Sequence, residues 1–307
     1  MATRPKDKRR VARIMKIAII GANGQLGVDL RRTLSAETLV PLAHCDLDVS
    51  NSEQVAQVLD SVSPDVVIST AAFHKVEECE KEPETSFAVN ATGPRNLALA
   101  CSRINAVLVH FSTDYVFDGG QQQPYTELDL PHPLNVYAVS KLAGEGMVSL
   151  TWSRHFIIRT CGLYGVAGSR GKGGNFVETM LKKAGEGVPI RVVNDQVLTP
   201  TFTGDLAAAV SQLIRTQSYG LYHVSAEGQC SWYEFAHKIF DFANLKVDLK
   251  PVSTTEFPSP VQRPAYSVLS KQKLNKLGIT MAHWEEGLSW YFAQRTQNQP
   301  SIGSPLV

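Results

Sequence analysis

A tyrosine and a lysine four residues apart are the strongest candidates for chemistry in this 307-residue sequence. Tyr137 and Lys141 have the spacing that places two side chains on one face of a helix. A phenol is a poor acid–base group at neutral pH, and a neighbouring ammonium brings its pKa toward the working range. The pair is therefore a candidate proton donor with its activator. The alternative is an exposed surface pair, because this spacing is common.

A threonine that follows a predicted strand is the second candidate. Residues 106–111 form a short apolar segment, and Ser112 and Thr113 come directly after it. In an open α/β sheet, ligands bind outside the carboxyl ends of the strands, where a hydroxyl can bond a substrate carbonyl. The alternative is a strand-end turn that Thr113 and Asp114 cap.

A glycine-rich turn near the start of the chain is the third candidate. The sequence Gly21-Ala-Asn-Gly24-Gln-Leu-Gly27 follows an apolar segment and precedes a predicted helix. Gly21 permits a tight turn, Gly24 lets the backbone approach a pyrophosphate, and Gly27 lets the helix pack closely on the sheet. The pattern favours dinucleotide binding, although glycine-rich turns also occur for purely structural reasons.

Alternating strands and helices are predicted to position these residues. Strands are predicted at 17–20, 39–43, 65–69, 106–111 and 156–159, and helices at 25–35, 84–104, 175–186 and 231–243. The alternation predicts an α/β fold of Rossmann type, a doubly wound parallel sheet with a smaller C-terminal substrate lobe. The expected division is a disordered basic tail over 1–14, an NAD(P)-binding domain over 15–161, and a mainly substrate-binding lobe over 162–307, interleaved with the first domain.

The overall charge argues against nucleic acid as a partner. The chain has 30 Lys plus Arg against 29 Asp plus Glu, a formal net charge of +1. A general nucleic-acid binder needs a basic surplus to neutralise phosphates. Six of the basic residues lie within residues 1–13, which predicts a tail, with an organelle-targeting peptide as the alternative. No segment of the sequence approaches the ~20 apolar residues that span a bilayer, so no membrane partner is expected.

The cysteines predict a reducing compartment. There are five of them, an odd number, and none forms a Cys-x-x-Cys pair. A disulfide framework or a zinc site is therefore improbable, and the sequence predicts a cytoplasmic protein.

Together these motifs resemble those of the extended short-chain dehydrogenase/reductases and, within them, the dTDP-4-dehydrorhamnose reductase family. The resemblance runs from about residue 15 to about residue 278. Its matching segments are MKIAIIGANGQLG, PDVVISTAAF, VNATGPRNLA, FSTDYVFDG, PLNVYAVSKLAGE, NFVETM, NDQVLTPT and RPAYSVLS. STDYVFDG together with NxYxxSKLxGE is specific for this branch.

The resemblance implies a role for each matching position. It implies catalysis by Thr113, Tyr137 and Lys141. It implies cofactor binding by Gly21, Gly24, Gln25, Leu26, Gly27, Asp48, Val49, Ala71, Ala72, Asn90, Tyr137 and Lys141. It implies substrate contacts from Thr113, Asn175 and Phe176. His74 and Lys75 follow the third strand, where they either reach the substrate or form an exposed loop pair.

The implied reaction is the NAD(P)H-dependent reduction of the C4 keto group of a nucleotide-linked 4-keto-6-deoxy sugar. The most direct case is conversion of dTDP-4-dehydrorhamnose to dTDP-L-rhamnose. Tyr137 would protonate the alkoxide, Lys141 would lower the pKa of Tyr137 and position the cofactor ribose, and Thr113 would polarise the carbonyl. The alternatives are a non-catalytic NAD(P)-binding regulatory subunit and a reductase of a different nucleotide sugar. A sugar dehydratase is disfavoured, since Tyr115 stands where that branch has Glu.

One departure from the family pattern concerns the sugar. Gly162 stands where some members carry a Trp that packs on the sugar ring, so the sequence predicts weaker or altered sugar binding.

The choice of NADPH or NADH and the metal content stay open. Asp46, near the tip of the second strand, would favour NAD, and Arg31 or Arg32 would favour NADP. Asp29 matches an acidic position that contributes to a magnesium site in some members. A solvated position on a helix is the favoured alternative for Asp29. The family also suggests a homodimer.

Overall fold

The computed structural model describes residues 13–168, 174–257 and 259–298. Most of the predicted basic tail, residues 1–12, lies outside the described residues. Arg13 is described, and its guanidinium lies 2.9 Å from the Asp65 carboxylate.

Helices and strands alternate along the described chain. The strands are β1 (Lys16–Ile20), β2 (Thr38–Leu42), β3 (Val66–Ser69), β4 (Val107–Thr113), β5 (His155–Thr160), β6 (Leu163–Tyr164), β7 (Ile190–Val193), β8 (Val197–Leu198), β9 (Thr201–Phe202), β10 (Gly220–His223), β11 (Cys230–Ser231) and β12 (Leu249–Val252). The helices are α1 (Gln25–Thr33), α2 (Ser52–Val62), α3 (Val76–Lys81), α4 (Pro83–Phe87), α5 (Gly93–Ile104), α6 (Val136–Thr151), α7 (Phe176–Ala184), α8 (Thr203–Leu213), α9 (Trp232–Phe242), α10 (Gln272–Asn275) and α11 (Trp284–Asn298).

Six parallel strands form the central sheet and confirm the predicted Rossmann-type fold. Their order is β10-β5-β4-β3-β1-β2. The order turns back between β1 and β3, which makes the carboxyl edge there the switch point at which ligands bind. The sixth strand, β10, comes from the C-terminal half of the chain and pairs with β5. It has no counterpart among the predicted strands. Strand β4 also extends through Thr113, whereas the sequence predicted its end at residue 111.

Two apolar layers cover the faces of the sheet. On one face the strands pack against α1 and α8, through residues such as Leu30 and Val210. On the other they pack against α2, α5 and α6, through Leu59, Leu97 and Val148. Each fully buried Val or Leu side chain contributes about 1.5–3 kcal/mol. These layers fix the sheet whose carboxyl edge holds the candidate residues.

The predicted long helix over 84–104 is interrupted by a wide turn. Helices α4 and α5 are joined by a π-helical turn, Ala88–Thr92, so the helical path continues but widens by one residue. Helix α6 approaches this turn closely at Gly144, where a Cβ would lie 2.1 Å from the Asn90 carbonyl oxygen. The wide turn brings the Asn90 side chain against the loop after β3.

A second, smaller core lies in the C-terminal half. It packs α7, α9 and α11 together with β7 and β12, around Tyr164, Phe235 and Tyr291. Within residues 13–168, 174–257 and 259–298, no helix combines the length and the apolar composition that a membrane span requires.

Candidate active site

A cavity of about 730 Å³ lies at the carboxyl edge of the sheet, with walls from both halves of the chain. Most of the predicted site residues line it. These are Gly21, Gly24, Gln25, Leu26, Asp48, Val49, Ala71, Ala72, His74, Thr113, Tyr137, Lys141, Asn175 and Phe176.

Thr113 is the last residue of β4, and its hydroxyl is held on both sides. Thr113 Oγ1 donates to Asp114 Oδ1 at 3.0 Å and accepts from the Tyr115 backbone N–H at 3.1 Å. Asp114 is buried, and it also accepts from Cys161 Sγ at 3.0 Å. Burial raises the pKa of Asp114. The Thr113 oxygen is thus fixed at the strand end that faces the cavity.

Tyr137 and Lys141 lie on the first two turns of α6, whose start is capped by Asn135. Lys141 is buried, and its Nζ donates to the Phe111 carbonyl oxygen at 2.5 Å. Burial lowers the pKa of Lys141 to about 8. Tyr137 has its pKa raised, first by burial, although a hydrogen bond with Thr113 acts in the lowering direction. Desolvation therefore sets the direction of the Tyr137 pKa shift in this structure, and the lowering by Lys141 stays a prediction.

The raised pKa makes Tyr137 a weaker acid than an ordinary tyrosine, whose phenol is already protonated at neutral pH. The phenol stays protonated at neutral pH, and the protonated form is the one that gives a proton to an alkoxide oxygen. The Tyr115 ring packs edge-on against Tyr137, with centroids 6.1 Å apart.

A buried ion pair lies behind these residues. Arg159 on β5 donates twice to Glu145 on α6, at 2.9 and 2.7 Å, and Ser112 Oγ donates to the same carboxylate at 2.5 Å. Arg159 and Glu145 have only 3% and 8% of their side chains exposed. Glu145 lies on α6 one turn after Lys141, Arg159 lies on β5 and Ser112 lies on β4. Their hydrogen bonds therefore hold these three elements together beneath the catalytic candidates.

The glycine turn fits a dinucleotide. Gly21 has a φ of +77°, and a Cβ there would lie 2.4 Å from Thr70 Oγ1. At Gly27 a Cβ would lie 2.4 Å from the Gly21 carbonyl oxygen, so only glycine allows α1 to begin this close to β1. Gly24, Gln25 and Leu26 line the cavity at the first turn of α1, which contains no acidic residue. Backbone N–H groups and the helix dipole favour a pyrophosphate at this position.

None of the three residues predicted to decide between NAD and NADP lines the main cavity. Asp46 Oδ2 accepts the Ala43 backbone N–H at 2.7 Å and so closes its own turn. Arg31 and Arg32 line a separate shallow cavity beside Glu37. His44, at the tip of β2, does line the main cavity.

Three predicted residues lie outside the cavity lining. Gly27 packs α1 on the sheet, as its predicted role requires. Asn90 is fully buried behind the wall, where its amide accepts from Phe73 N at 2.9 Å and donates to Phe73 O at 2.8 Å. It therefore fixes the loop after β3. Lys75 forms an ion pair with Glu78 at 2.7 Å, so of the pair His74–Lys75 only His74 lines the cavity.

One side of the cavity, which we call the lobe side, is formed by residues of the C-terminal half, and some of them were not predicted from the sequence. Asn175 caps α7 by accepting from Glu178 N at 3.1 Å, which places Phe176 at the start of that helix. Leu198 and Trp232 line the same side. At Gly162 a Cβ would lie 3.0 Å from Leu198 Cδ1, so the position is already packed. Leu198 stands in the quoted segment NDQVLTPT, but an apolar residue there reads as core.

The acidic position on α1 is not solvated. Asp29 is 4% exposed, accepts from Thr203 Oγ1 at 2.5 Å and pairs with Arg32 at 3.0 Å. The prediction of a solvated helix position is therefore wrong, because α8 packs across α1 at this point. Among the residues described, no group of three or more His, Cys, Asp and Glu could hold a metal ion.

The fold and the site together define a nicotinamide-dependent oxidoreductase of the short-chain dehydrogenase/reductase class. The model of the RmlD substrate binding domain family matches residues 15–297. The chain belongs to this family.

Individual relatives match over nearly their whole length. The chain is 41% identical to the spore coat polysaccharide biosynthesis protein SpsK of Bacillus subtilis, over 92% of this chain and 98% of that protein. It is 36% identical to dTDP-4-dehydrorhamnose reductase of Escherichia coli, over 89% and 96%. The crystal structure of dTDP-4-dehydrorhamnose reductase from Bacillus anthracis in complex with NADP superimposes with a TM-score of 0.88, at 42% identity, and the match covers 92% of this chain and 100% of that one.

Proposed function

We propose that this chain reduces the C4 keto group of dTDP-4-dehydrorhamnose to give dTDP-L-rhamnose, with NADPH as the reductant. The observation that carries the proposal is the convergence of Thr113, Tyr137 and Lys141 in one cavity with the glycine turn. The relatives named dTDP-4-dehydrorhamnose reductase support the substrate.

The side chains act on the carbonyl oxygen in this proposal. Bound NADPH supplies the hydride that adds to the C4 carbon. Tyr137 is protonated at neutral pH and holds the proton that the developing alkoxide takes. Thr113 orients the carbonyl when its hydroxyl hydrogen turns from Asp114 Oδ1 to the substrate oxygen, while the Tyr115 N–H still holds the Thr113 oxygen in place. Lys141, with Glu145 behind it, positions the cofactor ribose.

NADPH is favoured over NADH by the tip of β2. A carboxylate there would repel a 2′-phosphate; Asp46 turns back to the Ala43 N–H and does not line the cavity, and the carboxylate that does line it, Asp48, accepts from Ser50. His44 lies in that part of the cavity lining and carries no negative charge. The complex of the B. anthracis relative with NADP supports the same choice.

The proposal extends to the division of the chain and its context. Residues 15–161 would bind the dinucleotide, while residues 162–307 would mainly bind the nucleotide sugar and return β10 to the sheet. All five cysteines are free thiols, which supports a cytoplasmic location. A homodimer is proposed from the family alone, and magnesium is not part of the proposal.

A turnover assay tests the proposal. The protein is mixed with dTDP-4-dehydrorhamnose and either NADPH or NADH, and the loss of reduced-cofactor absorbance is followed. We expect turnover with both cofactors and a higher kcat/KM with NADPH. A protein that binds NADPH but turns over no dTDP-4-keto sugar would be the non-catalytic regulatory subunit instead, and the proposal would fail.

A further inference from the structure

Two aromatic side chains form one wall of the cavity on the lobe side. We call Phe176 and Trp232 the aromatic wall. Their ring centroids are 4.6 Å apart, and both rings are half-buried and line the cavity. Phe235 lies behind them, fully buried, with its centroid 5.6 Å from Phe176 and 6.4 Å from Trp232. The wall is thus supported from behind and open to the cavity in front.

The chain fixes the position of Trp232 firmly. It is the first residue of α9, whose capping box is formed by Ser231 and Glu234. Ser231 Oγ also donates to Asn194 Oδ1 at 2.7 Å. The cap fixes the backbone at Trp232, and packing on Phe176 and Phe235 restricts its ring, so the side chain loses little conformational freedom when it contacts a ligand.

A series of strand pairings and side-chain contacts connects the aromatic wall to the catalytic end of the sheet. Thr113 pairs with Thr160 across β4 and β5, and Gly162 follows two residues later. The Leu198 side chain packs over Gly162. Leu198 in turn pairs with Cys230 across β8 and β11, and Trp232 follows two residues later.

Along this succession from Thr113 outward to Trp232, the residues Gly162 and Leu198 and the aromatic wall present apolar groups to the cavity, and Asn175 lines the same side. A ligand whose reacting carbon lies at Thr113 and which extends toward the C-terminal half passes along this apolar surface. For a nucleotide sugar, the part of the ligand that adjoins the reacting carbon is the hexose ring.

We propose that Trp232, backed by Phe176, is the specificity-determining contact for the apolar face and methyl group of a 6-deoxyhexose. The inference rests on the proposed function, since it takes the reacting carbon to be part of that sugar. The C–H face of a pyranose and its C6 methyl group carry no hydrogen-bonding groups. An aromatic ring gains contact area on such a face, whereas a hydroxyl at C6 would lose its water there.

Kinetics of two Trp232 variants test the contact. We expect Trp232→Ala to raise KM for the dTDP-4-keto-6-deoxy sugar roughly tenfold or more, with kcat changed less than about threefold, because the contact is equal in ground and transition states. Trp232→Phe should retain most of the affinity. Trp290, 59% exposed on α11, supplies the matched control Trp290→Phe. The NADPH dissociation constant should be unchanged in each variant.

Tryptophan fluorescence gives a readout that does not depend on turnover. We expect dTDP-L-rhamnose to change the emission of the wild type and of Trp290→Phe, and not that of Trp232→Phe. We expect dTDP alone to leave the wild-type emission unchanged. A full change with dTDP alone would put the base or diphosphate on the wall and overturn the inference.

The two proposals fail in different ways. Absence of wild-type turnover with dTDP-4-dehydrorhamnose defeats the proposed function. Wild-type turnover with a KM that Trp232→Ala leaves unaffected defeats the aromatic wall alone. Should Trp232→Ala fail to fold, the Trp232→Phe emission decides: a sugar-induced change that survives in this variant overturns the inference.

Discussion

The sheet side and the lobe side of the cavity are built by different physical means. On the sheet side, buried polar groups are tied to neighbours, as Lys141 is to Phe111 and Glu145 is to Arg159. On the lobe side, Leu198, Phe176 and Trp232 make apolar contacts. Hydrogen bonds fix direction, whereas apolar contacts give area without direction. We therefore expect the sheet side to govern kcat and the lobe side to govern KM.

The largest expected effect on kcat comes from removing the proton donor on the sheet side. Tyr137→Phe removes the phenolic proton and keeps the ring against Tyr115. We expect kcat to fall about 10²–10⁴-fold, the usual contribution of a general acid. NADPH affinity, measured by cofactor fluorescence, should stay nearly intact. Full activity in this variant would show that Tyr137 is not the donor.

The next largest effect is on the free energy of unfolding, and it differs between two ion pairs, one on the sheet side and one in the C-terminal half. Glu145→Gln leaves the Arg159 charge buried without its anion, and we expect a loss of about 3–5 kcal/mol in the free energy of unfolding. The matched control is Glu178→Gln in the lobe. Glu178 pairs with Arg295 at 2.8 Å, and about a third of each side chain is exposed. There we expect about 1 kcal/mol or less.

Urea denaturation of both variants measures these losses. Removing both charges in Glu145→Gln/Arg159→Met should recover part of the stability, because no uncompensated charge remains. Equal losses at Glu145 and Glu178 would contradict the contrast between the two sides.

The same contrast explains what the sequence could predict. The glycine turn and the Tyr137–Lys141 pair are local patterns: the turn precedes a predicted helix, and the four-residue spacing of the pair implies the helix on which both residues lie. Trp232 could not be found this way, because an aromatic residue at a helix start reads as core until β11 is known to pair with β8. Strand β10 was missed because Gly-Leu-Tyr-His is too short to show a period. The direction of the Tyr137 pKa shift depends on burial, which spacing does not reveal.

The smallest expected effect tests how tightly the lobe side is packed. Gly162 has a φ of +54°, and a Cβ there would also lie 3.1 Å from Pro200 Cα. Gly187 has a similar φ of +69°, with no atom within 4 Å of a Cβ. Alanine at either position meets the same left-handed backbone strain, about 1–2 kcal/mol. Gly162→Ala alone also crowds its neighbours.

We therefore expect Gly162→Ala to cost about 1 kcal/mol more than Gly187→Ala in the free energy of unfolding. Because the added methyl group presses on Leu198, Gly162→Ala should also raise KM for the sugar nucleotide a few-fold and leave kcat almost unchanged. Equal costs for the two variants would mean that Leu198 moves aside freely. The lobe side would then be a compliant surface, and shape would contribute little to the selection of the sugar.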